Sequence, residues 1–324
     1  MRPFVLPLLL LAACAATPSG PRQEPAPEEE TREQTLQKAE QRRRNFQAVL
    51  VKLDQGMESF SQAMANRGSP RADQQISQLE KLIQELVLDV GPREVKKGLP
   101  PHEPGQNYRM LQAAASDGTK PREQAIALAA LGFSGQIEMM PIILQGAQLE
   151  DQTLVDRAVF GLAVLRAPAT PPGVIAAVAD NPKFSEASRT QAAWALYNLQ
   201  AVSQRREEII AAFRRFVSEK RDSMPAGVIV QAVRGLGLTR DPAQIELIVG
   251  LLKHPVPKIR EAAAVAMGRL NAQKHANDLI AMLGPQESVP NVRLAARKAL
   301  QELAGQADYE YDVAAWRKAF DRGQ

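Results

Sequence analysis

Residues able to do covalent or metal chemistry are few and scattered in this chain. Cys14 is the one cysteine among 324 residues, open to service as nucleophile, metal ligand, buried hydrophobe or attachment point; no disulfide can form within the chain. Nucleophilic catalysis needs an activated Ser, Cys or Thr with a base within hydrogen-bond reach. The histidines are His102 in a proline-rich stretch, His254 beside Pro255 and His275 at an expected helix start. They lack the spacing that sets two ligands on one helix face. Adjacent carboxylates such as Glu207 and Glu208 point different ways around a helix. Gly235 and Gly237 fall inside an expected helix, where they favour close packing over cradling a phosphate. These residues predict no catalytic site, no metal site and no cofactor, hence not an enzyme.

The densest charge is a basic ridge of Arg205, Arg206, Arg214, Arg215, Lys220 and Arg221, interleaved with Glu207, Glu208 and Glu219. It is either an ordinary solvated surface or a contact for an acidic partner. Forty basic and 36 acidic residues give a net charge of only +4, and no concentrated basic face points to nucleic acid.

The elements that position these residues follow from pattern. Arg2 precedes an apolar run from Phe4 to Leu11, then Ala12, Ala13 and Cys14. That run is too short to span a bilayer as a helix, which takes about 20 residues, and it has the layout of a signal peptide (1–13). Residues 14–33, rich in proline and acid, have no apolar face to bury and predict a disordered tether, which reaches roughly 60–70 Å if stretched.

A seam alternating three- and four-residue steps follows at Leu36, Ala39, Arg43, Phe46, Leu50, Leu53, Met57, Phe60 and Met64. A second lies at Ile76, Leu79, Ile83, Leu86 and Val90. Separated by the helix-stopping stretch 66–70, they predict an antiparallel helical hairpin over 34–97, with a dimeric coiled coil as the alternative. A Pro- and Gly-rich linker occupies 98–106.

Beyond it the chain repeats. RTQAAWALYNL (189–199), REAAAVAMGRL (260–270) and RLAARKALQEL (293–303) align without gaps, and weaker copies begin at 121, 155 and 229. The six starts are 34, 34, 40, 31 and 33 residues apart. Between copies lie second amphipathic segments, such as Ile209–Val217 and Leu279–Leu283. A helix–turn–helix unit of this length, repeated, predicts a solenoid in which stacking makes the core. A non-repetitive helical bundle is the rival, against which the near-constant spacing argues. In the final segment Asp312 can cap a helix carrying Val313, Trp316, Ala319 and Phe320 on one face.

Two resemblances rest on these residues. Leu11-Ala12-Ala13-Cys14 resembles the lipobox of bacterial lipoprotein precursors, which implies that Cys14 receives the lipid and opens the mature chain; an ordinary secretory signal is the alternative. Ala15 in place of Asp implies the outer membrane, facing the periplasm, rather than the inner one. Residues 107–304 resemble HEAT repeats of the short bacterial style, also seen in bilin-lyase-like proteins. Arg189, Arg260 and Arg293 match the family's helix-opening arginine, whereas Pro121, Val155 and Ile229 do not, so its Asp–Arg ladder is expected to be partial. In HEAT solenoids the helices that carry the basic ridge line the concave side. The terminal segment, 305–324, resembles the tails that close such arrays.

The expected fold is therefore all-α: a helical hairpin, a HEAT-like α-solenoid and a C-terminal capping helix. The expected function is a lipid-anchored, non-enzymatic scaffold for a protein partner in the cell envelope. The alternatives are a structural component that homo-oligomerises through the 36–64 seam, and a lyase-type enzyme.

Overall fold

The computed structural model of the chain describes residues 31–65, 69–89 and 105–321. Cys14, His102, Val90 and the expected signal peptide lie outside the described residues, as do the tether up to residue 30 and most of the linker. The described chain is all-helical. It divides into a short unit ending at Asn45 and a second unit from Phe46 onward.

The short unit is the start of helix α1 (Arg32–Ala65). Thr31 Oγ1 accepts from the Gln34 backbone N–H, and Gln34 Oε1 accepts from the Thr31 N–H. This reciprocal capping box starts the helix inside the stretch expected to be tether. Every side chain from Thr31 to Asn45 is exposed. Leu36, 59% exposed, together with Ala39 and Arg43, thus lies outside any packed seam, contrary to the heptad expectation.

The second unit begins where the seam becomes buried, at Phe46, Leu50, Leu53, Met57 and Phe60. Helix α2 (Pro70–Leu88) is capped by Ser69, whose side chain accepts from the Ala72 N–H. It packs on α1 where Gly56 meets Ile83; a Cβ on Gly56 would lie 3.2 Å from Ile83 Cγ1. The hairpin is present.

Six helix pairs follow. They are α3 (Gln106–Ala115) with α4 (Pro121–Leu131), α5 (Met140–Gly146) with α6 (Gln152–Leu165), and α7 (Pro172–Asp180) with α8 (Glu186–Leu199). Then come α9 (Arg206–Val217) with α10 (Ala226–Gly237), α11 (Ile245–Ile248) with α12 (Pro257–Arg269), and α13 (Ala276–Ala281) with α14 (Pro290–Leu303). A 3-10 turn, Val249–Lys253, extends α11.

The six repeat copies are the second members of these pairs, α4, α6, α8, α10, α12 and α14, and each packs on the next to form one continuous row. Small residues set that packing. Ala127, Ala158, Ala192, Ala193, Ala232, Ala263 and Ala296 are fully buried, and ridges of alanine let helix axes approach to the short end of the usual range. Gly237 brings α10 onto α12, because a Cβ there would sit 3.0 Å from Ala266 Cα. A Cβ on Gly235 would run into the Phe213 ring. Both glycines are packing residues, as their place in a helix implied.

The helix-opening arginines hold neighbouring repeats together, each in its own way. Arg189 is buried; its Nε donates to the Ala179 carbonyl of its own pair at 2.9 Å, and its Nη2 reaches the Ser223 carbonyl, ahead of the next copy, at 3.4 Å. Arg260 grips Glu287 through two bonds of 2.7 and 2.9 Å and also donates to the His254 carbonyl. Arg293 lies over the Tyr311 ring, 4.9 Å from its centre. Carboxylate, carbonyl and ring thus take the place of a uniform Asp–Arg ladder.

Helix α15 (Val313–Asp321) closes the C-terminal end. Asp312 caps it by accepting from the Ala315 N–H. Trp316 is fully buried between Tyr309 and Phe320, and its Nε1 donates to the Glu310 carbonyl at 3.0 Å. A solenoid end exposes apolar surface, and this indole covers it.

Candidate binding cleft

In the second unit, α1 runs across the row of repeat helices in a fixed register. Gln47 Nε2 donates to Glu123 Oε1 of α4 at 3.0 Å. Seven residues later, Asp54 Oδ1 receives Arg157 Nη2 of α6 at 2.8 Å. Glu123 and Arg157 are both the third residue of their repeat copies. Seven helical residues advance about 10.5 Å, close to the 8–10 Å spacing of packed helices. The heptad of α1 therefore steps once per repeat.

The sixth residues of the copies are Ile126, Phe160, Trp194, Arg234, Val265 and Lys298, apolar in the three copies at and beside α1 and cationic at Arg234 and Lys298. Phe60 of α1 packs edge-on to Phe133 (5.1 Å between ring centres) and to Phe160 (6.2 Å). Trp194 stacks on the far side of Phe160, 6.1 Å away at 18°. A line of aromatic rings thus leads out from beneath α1.

Where α1 ends, at Ala65, the row continues with no described helix across it. There a cleft of about 950 Å³ opens, with Ser61 and Met64 of α1 at one edge. Its body is Phe160, Gln191, Trp194, Tyr197 and Asn198, and its far side is Gln231 and Arg234 of α10. Trp194, Tyr197 and Arg234 are half-buried. Behind the cleft, Ser188 Oγ donates to Asp156 Oδ2 at 2.8 Å. Burial holds the Asp156 carboxyl above the usual carboxylate range, against the opposing pull of that hydrogen bond.

The basic ridge lies on and around α9, in the other row of helices. Lys220 Nζ sits 2.6 Å from Asp180, which Arg215 also approaches at 3.5 Å. Arg214 donates to Gln244 Oε1 at 2.9 Å and pairs with Asp241 at 3.6 Å. Arg205 pairs with Glu208, and Arg221 with Asp222. Three of the six cations therefore join α9 to the repeats on either side, while Arg205, Arg206 and Arg221 face solvent.

The two described histidines serve turns. His254 Nδ1 accepts from the Val256 N–H at 3.1 Å. Burial, with Arg221 and Arg260 nearby, holds its pKa below the ordinary histidine value. His275 Nδ1 lies 3.3 Å from Asp278. Among the described residues, no three His, Cys, Asp or Glu side chains are grouped to hold a metal, and no helix is long and apolar enough to cross a membrane.

The cleft was not legible as a site from the sequence, because Trp194 and Tyr197 sit inside the best-aligned repeat copy. A signal was present all the same. The positions filled by Trp194 and Tyr197 carry Val265 and Gly268 in the next strong copy and Lys298 and Gln301 in the last. Two large aromatics replace the smaller or polar residues of the other strong copies.

Residues 215–301 match the profile of HEAT repeats, so the chain contains repeats of this class; the remaining pairs continue the same packing. A crystal structure of an engineered protein from a structural genomics programme is 16% identical, with a TM-score of 0.45, over 82% of this chain and 71% of that one. No curated protein matches the sequence.

Proposed function

We propose that the chain is a lipid-anchored scaffold of the bacterial cell envelope, which holds a protein partner against its HEAT-repeat array. The observation that carries the binding role is the cleft beside α1, where half-buried aromatic and amide side chains form an open continuation of a face already used for packing. A concave surface of this size, in which aromatic side chains are set among placed polar groups, supports a binding role. The solvent-facing Arg205, Arg206 and Arg221 offer an acidic partner a second contact. The anchor rests on the lipobox-like Leu11-Ala12-Ala13-Cys14. The lipid would confine the search for a partner to the membrane's neighbourhood and raise the effective concentration; the outer membrane's periplasmic face is the expected place.

Two experiments test this. Metabolic labelling with a fatty acid should mark the wild-type chain and not Cys14→Ser, which should also leave the membrane fraction; an unchanged fraction refutes the anchor. Crosslinking in intact cells should capture a specific envelope protein. Capture of none above background refutes the scaffold.

A further inference from the structure

The cleft shows not only where a partner would bind but in what form. Over α4 and α6 the row is already occupied by a helix, and the terms of that occupation are visible: a polar contact at the third position of each repeat, seven α1 residues apart, and on α6 an apolar contact, Phe60 on Phe160, at the sixth. Ser61, seven residues after Asp54, lines the cleft together with Gln191, the third residue of the next copy. One step further the third residue is Gln231 and the sixth is Arg234. The helix that would meet them stops at Ala65. Arg157 has its carboxylate in Asp54, whereas Arg234 has no ion pair among the described residues.

We infer that the cleft over α8 and α10 is a docking site for an amphipathic helix of a partner protein, laid in the register of α1, with an apolar residue against Trp194 and a carboxylate on Arg234. This rests on the scaffold reading and names the partner's recognition element. A helix laid in a groove is read through side chains at i, i+3, i+4 and i+7, and this face supplies contacts at that interval. Acyl chains do not suit it, since Asn198 and Gln231 would be left without hydrogen bonds; Gln191 already donates its Nε2 to the Asp156 carbonyl. A second copy's exposed 31–45 segment is a poor occupant, because its Arg42-Arg43-Arg44 run would face another cation.

The register fixes a probe. A fluorescent peptide with the sequence of residues 46–64, moved along the row so that Gln47 meets Gln191, would set Leu53 on Trp194 and residue 60 on Arg234. Gly56→Ala in the peptide favours the helix and alters only the side that faced α2. Two versions, Phe60→Glu and Phe60→Lys, are titrated into the full chain by fluorescence anisotropy. The Glu peptide should bind about tenfold tighter than the Lys peptide. Arg234→Glu in the protein should invert that order, and Trp194→Ala should weaken the Glu peptide by about tenfold or more. Trp194→Phe, which keeps a ring and guards against misfolding, should retain binding within about threefold.

Equal binding of the two peptides, or an order unchanged by Arg234→Glu, overturns the site. So does a dimer of the chain alone that Arg234→Glu dissolves, or vesicle binding that requires Trp194. Crosslinking in cells separates the two levels. A partner captured equally by wild type and by Trp194→Ala/Arg234→Glu leaves the scaffold standing and removes this cleft, whereas no capture by either removes the scaffold.

Discussion

Phe160 and Trp194 occupy the same position in consecutive repeats and stack on each other, yet they lead different lives. Phe160 lies under α1, 8% exposed; Trp194 lies one step past its end, in an open cleft. The same repeat position is thus core or surface depending on how far one crossing helix extends. In a repeat protein each unit contacts chiefly its neighbours, so an element that crosses several units decides which of them are available to others.

Substitutions can break this contrast. Phe160→Ala should cost about 3–5 kcal/mol, measured by urea denaturation followed by circular dichroism, because it empties the space shared by Phe60, Phe133 and Trp194. A cost near that of an exposed residue would mean that α1 does not seal this face.

Glu287→Gln tests the open half of the row, where the Arg260–Glu287 pair adds a polar contact to the close packing of α12 on α14. Loss of the near-buried charge on Glu287 should cost about 2 kcal/mol near neutral pH. Its hydrogen bonds with Arg260 hold the Glu287 carboxyl below the usual carboxylate value. Its contribution is therefore present above the unfolded-state pKa and is lost as pH falls through the lowered native one. Thermal melts from pH 7 down to pH 3 should show the variant and wild type converging in acid; a constant gap would contradict the pairing.

Trp194→Ala should cost only about 1 kcal/mol, the loss of one ring contact and a half-buried surface. A penalty equal to that of Phe160→Ala would erase the distinction between covered and open repeats. Asp54→Asn should cost less than about 1 kcal/mol, since the pair with Arg157 is a third exposed. In 1 M salt its effect should fade, and a salt-independent loss would show that the pair is better buried than it looks.

Much of the fold was legible because the repeat copies state their packing in residue type: alanines where helices touch, leucines where the core is deeper. The closing helix was legible for a similar reason, a capping aspartate followed by a tryptophan at helical spacing. The track of α1 was not. A seven-residue seam says that apolar side chains recur along one stripe, and that stripe fits one parallel partner as well as a series of crosswise ones about 10 Å apart. The pairing of the basic ridge was not legible, because Asp180 and Asp241, which engage Arg214, Arg215 and Lys220, lie some 25 to 40 residues from them in sequence. Charge at a position is visible in a sequence; its counter-charge across a repeat boundary is not.

The match between the heptad of α1 and the step of the row also constrains how such a chain can grow. Duplicating one repeat of 34 residues lengthens the row by one helix and, by itself, adds open surface. To keep that surface closed, the gene must also gain seven codons in α1, at a distant place in the reading frame. Repeat number and α1 length are thus two separately inherited dimensions, and among the described residues their mismatch is what leaves part of the row open.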